Sequence, residues 1–85
     1  RAGAGNNSAR SVIACVAFVD VEAELHRLGF RRWGQTQTHY AYRSNGEFVF
    51  VKMPNVHGYL PESVVNEAFN AAELPLPDWN VFWGD

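Results

Sequence analysis

The stretch QTHYAYRSNGEFVFVKM, residues 37–53, decides how this chain folds. Two runs in it, HYAYR and FVFVK, alternate apolar with polar side chains, and Asn45-Gly46 stands between them. Asn and Gly both accept the positive φ angles of a two-residue type I′ turn, so the runs read as neighbouring antiparallel strands. A loop of that length predicts a register. Ser44 lies opposite Glu47, Arg43 opposite Phe48, Tyr42 opposite Val49, Ala41 opposite Phe50, Tyr40 opposite Val51 and His39 opposite Lys52. Paired residues share a face. One face then carries Tyr40, Tyr42, Val49, Val51 and Met53 and belongs against helices. The other carries His39, Ala41, Arg43, Phe48, Phe50 and Lys52 and is expected to stay open.

On the N-terminal side, DVEAELHRLGF reads as a short amphipathic helix. Asp20 can cap it, Val21, Leu25 and Leu28 recur at i, i+4 and i+7, and Gly29 follows as a stop. Phe30 to Trp33 reads as a first strand and GQTQ, residues 34–37, as a polar loop. On the C-terminal side, YLPESVVNEAFNAAEL, residues 59–74, supplies a second amphipathic helix. Pro61 stands at its start, Val64, Val65, Ala68, Phe69 and Ala72 form its apolar stripe, and Pro75 and Pro77 end it. The order predicts an α+β fold, α-β-β-β-α, with a three-stranded antiparallel sheet packed on two helices and extensions at both ends.

Eighty-five residues make one domain, 1–85, with a core at 20–74. Residues 1–10 read as a flexible leader. The run VIACVAFV, 12–19, is less than half the length of a membrane span, and reads as a buried strand or as an extension of the first helix. A signal-peptide core is the alternative, opposed by the amphipathic helix directly after it. The aromatic extension 75–85 contains Trp79, Phe82 and Trp83, too apolar for a free tail, and should pack on the body or on another subunit.

The formal net charge is −2, which argues against a generally basic nucleic-acid binder. Position matters more than the sum. Residues 27–52 carry Arg27, Arg31, Arg32, Arg43 and Lys52 against Glu47 alone, as a phosphate-contacting surface does. Cys15 is the single cysteine, so there is no internal disulfide, no zinc knuckle and no redox pair, and a reducing, cytoplasmic setting fits. No cofactor or metal is expected, because the three histidines are dispersed.

In order and spacing, LGF at 28–30, THYAYR at 38–43, FVFVKMP at 48–54 and YLPESVVNEAFNAAEL at 59–74 resemble the HicA-like toxins of bacterial toxin-antitoxin pairs. The resemblance implies a double-stranded-RNA-binding-like fold, an mRNA-cleaving activity with His39 as the catalytic residue, and a cognate antitoxin as partner. RNA cleavage without a metal needs proton transfer at the 2′-hydroxyl and the 5′-oxygen, with cations around the phosphate, and histidine suits those steps. Lys52, directly across the hairpin, favours the neutral imidazole, and Lys52 with Arg43 can steady the phosphorane. Arg31 and Arg32 flank Trp33 and can hold RNA by charge and stacking. No second acid is evident: Glu47 lies by the turn, His26 reads as helix surface and His57 as a loop residue. The alternatives are a non-catalytic module of the same fold binding RNA or protein, and a dimeric small-molecule binder that uses the aromatics as a lining.

Overall fold

A computed structural model describes residues 13–44, 46 and 49–84. Within it the α+β class holds, but the element order is β-α-β-β-β-β-α-β and the strands form two sheets. The elements are β1 (Ile13–Ala17), α1 (Phe18–Arg27), β2 (Phe30–Gln35), β3 (His39–Ser44), β4 (Phe50–Pro54), β5 (Tyr59–Pro61), α2 (Glu62–Ala71) and β6 (Val81–Gly84). One antiparallel sheet runs β2-β3-β4, the other β5-β1-β6.

The hairpin β3-β4 forms, two residues out of the expected register. His39 pairs with Pro54, Tyr40 with Met53, Ala41 with Lys52, Tyr42 with Val51 and Arg43 with Phe50. The Ser44 N–H donates to the Val49 carbonyl at 3.1 Å, so residues 45–48 make a four-residue connection where two were expected. Asn45, Glu47 and Phe48, with the pairings expected of them, lie outside the described residues. Side chains alternate with a period of two, so a slip of two keeps every residue on its face. Tyr42, Val51 and Met53 are buried, and Tyr40 and Val49 pack against them.

β2 runs two residues beyond the expected Phe30–Trp33 segment and shifts register between Arg32 and Gly34. A bulge at Trp33 absorbs one residue, and the polar loop shrinks to Thr36–Thr38. α1 begins at Phe18, and Asp20 lies in its first turn without a capping bond. The Phe18 N–H instead donates to the Gly58 carbonyl at 2.7 Å, so the loop before β5 does the capping. Gly29, at φ +94°, ends the α1 segment as expected. α2 closes before the prolines reach it. Glu73 adopts φ 58°, and the N–H groups of Glu73 and Leu74 donate to the carbonyls of Asn70 and Phe69.

The second sheet is absent from the expected arrangement. Cys15, Val16 and Ala17 pair with Pro61, Leu60 and Tyr59, and the other edge of β1 pairs with β6, Val16 opposite Val81 and Cys15 opposite Phe82. Within the run 12–19, residues 13–17 are strand and 18–19 begin the helix, the expected leader 1–10 and Val12 lie outside the described residues, and the aromatic extension supplies a strand. Trp79 anchors it. Its ring meets Phe69 edge-on at 5.3 Å and its indole N–H donates to Asn66 Oδ1 at 2.9 Å. Val16 and Leu60 of one sheet, Tyr42, Val51 and Met53 of the other, Val21 and Leu25 of α1, and Val65 and Phe69 of α2 share one core. Among the described residues, no helix is long and apolar enough to cross a membrane.

Candidate nucleic-acid interface

The helices cover the Tyr42 face of the β2-β3-β4 sheet, and the opposite face carries His39, Ala41 and Arg43 from β3 with Phe50 and Lys52 from β4. β2 adds Arg31, directly opposite Arg43. Trp33, two residues after Arg31, shares this side, where its ring meets Phe50 edge-on at 5.5 Å. Trp33 is 63% and Phe50 46% exposed. A large aromatic pair left this open is unusual for a side chain whose apolar area favours burial. Cations surround it. Lys52 lies opposite Ala41, diagonal to both His39 and Arg43 at roughly 7–8 Å along the sheet. The expected placement of Lys52 directly across from His39 is thus corrected by the longer β3-β4 connection.

His39 is held by the short loop before it. Thr36 N–H donates to the His39 carbonyl at 2.8 Å, and the His39 N–H donates to Thr36 Oγ1 at 3.1 Å. Thr38 Oγ1 and His39 Nδ1 share a 2.8 Å hydrogen bond, which orients the imidazole and leaves Nε2 as its other reactive nitrogen. Asn55 closes the loop from the β4 side, its N–H on the Thr38 carbonyl at 3.0 Å and its side-chain amide on the Gln37 carbonyl at 3.3 Å. The imidazole therefore stands on a braced turn.

An open cavity of about 700 Å³ is lined by Trp33, His39 and Lys52 and reaches Glu67 and Ala68 of α2. Glu67 is the candidate that sequence reasoning missed. Nothing marks it within NEAF, where it occupies the solvent side of an ordinary amphipathic helix, and only tertiary packing brings it to the same cavity as His39. A second open cavity, of about 420 Å³, lies between the α1-β2 turn and the β3-β4 connection and is lined by Arg31, Trp33, Arg43 and Ser44.

Arg31 and Arg32, both expected to contact RNA, make hydrogen bonds within the protein. Arg31 donates to the carbonyls of His26 and Phe30 at 3.1 and 2.9 Å, satisfying the C-terminal end of α1, and so stands at the rim. Arg32 points to the helix side, because it pairs with Tyr42 in the β2-β3 register. There its guanidinium grips both Glu22 oxygens at 2.5 and 3.1 Å and lies 3.9 Å from the Tyr40 ring centre. Arg32 belongs to the α1-sheet joint rather than to the open face. Lys52 and Arg43 keep their places on that face, and His57 is exposed in the loop before β5.

The Glu22 joint shifts three ionisable groups. Partial burial pushes the Glu22 carboxyl up, but hydrogen bonds from Arg32 and Tyr42, with the charges of Arg32 and His26, outweigh it and hold it below its ordinary value. Burial and the Glu22 hydrogen bond push the Tyr42 hydroxyl well up, and the Glu22 hydrogen bond raises the Arg32 guanidinium. Among the described residues, no group of three or more histidine, cysteine, aspartate or glutamate side chains is placed to hold a metal ion. Comparison with protein families, with curated proteins and with solved structures returns no match.

Proposed function

We propose that this protein binds single-stranded RNA on the open face of β2-β3-β4 and cleaves it at His39, as a cytoplasmic mRNA endoribonuclease of the HicA-like kind, held in check by a cognate antitoxin. The observation that carries the reading is the exposed Trp33-Phe50 pair set among Arg43, Lys52 and Arg31. Bases stack on exposed aromatic rings whatever their sequence, while cations beside the rings follow the phosphates. A face with both, on an otherwise acidic chain, suits a flexible polyanion better than a rigid duplex.

The chemistry follows from the cavity. The 2′-oxygen attacks phosphorus, the bond to the 5′-oxygen breaks, and a 2′,3′-cyclic phosphate and a 5′-hydroxyl result. One group takes the 2′ proton and another supplies the proton to the leaving oxygen. His39 and Glu67 line the same cavity and divide these two transfers between them, with Lys52 beside the phosphate. Such a division makes the rate bell-shaped in pH.

The test uses a short unstructured RNA and the same RNA as a duplex, with EDTA present throughout. The single strand should bind more tightly, and Trp33→Ala should weaken it by about 1–3 kcal/mol. Cleavage by His39→Ala should fall ~10²–10⁴-fold, with binding and melting temperature nearly unchanged. Glu67→Gln should remove one limb of the pH profile. Tight binding without cleavage by the wild type moves the conclusion to a non-catalytic RNA-binding module, and no binding at all overturns both.

A further inference from the structure

β6 is the last strand of its sheet, and no other strand among the described residues lies along its outer edge. Soluble proteins guard such edges with a charge, a proline or a bulge, because unpaired N–H and C=O groups recruit further strands. Val81–Gly84 reads Val-Phe-Trp-Gly, pairs with β1 without a register break, and has its four-residue length but no charge, proline or bulge to guard it. Its aromatics project to opposite faces. Phe82 lies opposite Cys15 and meets Tyr59 edge-on at 5.0 Å, whereas Trp83 lies opposite Ala14 on the face that carries Val16. Phe82 is 42% and Trp83 70% exposed. A strand added here is held by backbone hydrogen bonds and covered by aromatic rings on both sides.

We propose that β6 pairs antiparallel with β6 of a second copy of the chain about a two-fold axis at Phe82, joining two three-stranded sheets into one of six strands. Self-pairing suits this edge for three reasons. First, residues 80–84 carry no charge, so a copy brings no like-charge clash. Second, the two-fold register sets each Trp83 against the smaller Val81 of the other chain, once at either end, and brings the two Phe82 rings side by side. Third, Phe82 and Trp83, 42% and 70% exposed, leave roughly 170–280 Å² of apolar surface on this flank, taking ~150–250 Å² per ring. That is roughly a fifth to a third of the ~800 Å² each partner contributes to a standard interface, and the paired backbone with exposed Ile13 on the adjacent strand supplies more.

The experiment is sedimentation of the full chain over a concentration series reaching the high-micromolar range, with circular dichroism on every variant. The expected mass is that of two chains, and Trp83→Lys should raise the dissociation constant about thirtyfold or more, as loss of a hot-spot tryptophan does. In a Cys15→Ser background, Phe82→Cys brings the two thiols onto the axis, where antiparallel Cα atoms lie ~4.5–5.5 Å apart, within disulfide reach. Mild oxidation should then link the chains, while Asn80→Cys in the same background, two residues off the axis and so about four residues from its twin, stays unlinked. A folded wild type that remains monomeric across the series overturns the pairing. So does a dimer that Trp83→Lys leaves intact, or one that links through position 80 and not 82.

Discussion

Glu22 ties the first helix to the hairpin sheet: its carboxylate accepts from Arg32 and from the Tyr42 hydroxyl, the latter at 2.6 Å. Tyr42 is fully buried, so its hydroxyl needs an acceptor, and Glu22 supplies it. Such hydrogen bonds to a charged group are worth about 1.5–3 kcal/mol, and Glu22→Gln should lower stability at neutral pH by that amount. The same substitution should alter the acid limb. The folded Glu22 carboxyl titrates below its ordinary value near 4.5, so its contribution is complete above that value and is lost as pH falls through the folded one. Urea midpoints measured from neutrality downward should fall below about pH 4.5 in the wild type. In Glu22→Gln the fall should be shallower. The remaining slope includes Glu24, lowered by its hydrogen bond from Arg27 at the exposed end of α1. An unchanged slope in Glu22→Gln would show that the joint does not govern acid stability.

Among the elements, the two helices end in opposite ways, and that contrast is testable. Gly29 follows α1 at φ +94° with open space around its missing Cβ, so Gly29→Ala meets only backbone strain and should cost about 1–2 kcal/mol. Glu73 occupies the left-handed region after α2 with a full side chain, so Glu73→Gly should stabilise by up to about 1 kcal/mol. Thermal melts of the two variants should shift in opposite directions. The first stop is legible because glycine is the residue that position favours. The second is hidden because Pro75 and Pro77 offer a more obvious ending two residues later. The hairpin behaves likewise: alternation reveals which side chains share a face, but it cannot tell a two-residue connection from a four-residue one, because both preserve the faces.

For the molecule as a whole, the stretch after Pro77 is structural. It lends Trp79 to Phe69 and Asn66, and β6 to the central strand β1. A chain cut after Pro77 should lose at least about 3 kcal/mol, the scale of removing one well-packed aromatic, before the lost strand is counted. Its urea midpoint and the protection of the β1 amides from hydrogen exchange should both fall. Full-length stability in the cut chain would contradict the assignment of β6 to the core sheet.

By itself the sequence determined the α+β class, both amphipathic helices, the hairpin and the division of its residues between a covered and an open face. Those features are local, since periods of 2 and 3.6 and the turn chemistry of Gly29 act over a few neighbours. Tertiary structure alone decided the second sheet, the diagonal placement of Lys52, the withdrawal of Arg32 to Glu22 and the arrival of Glu67 at the His39 cavity. β1, β5 and β6 are three to five residues long, too short for periodicity to register, and β1 pairs with segments more than forty residues away. Arg32 followed the strongest acceptor within reach. Which acceptor that would be depended on how α1 packs across the sheet, and no local pattern encodes such a choice.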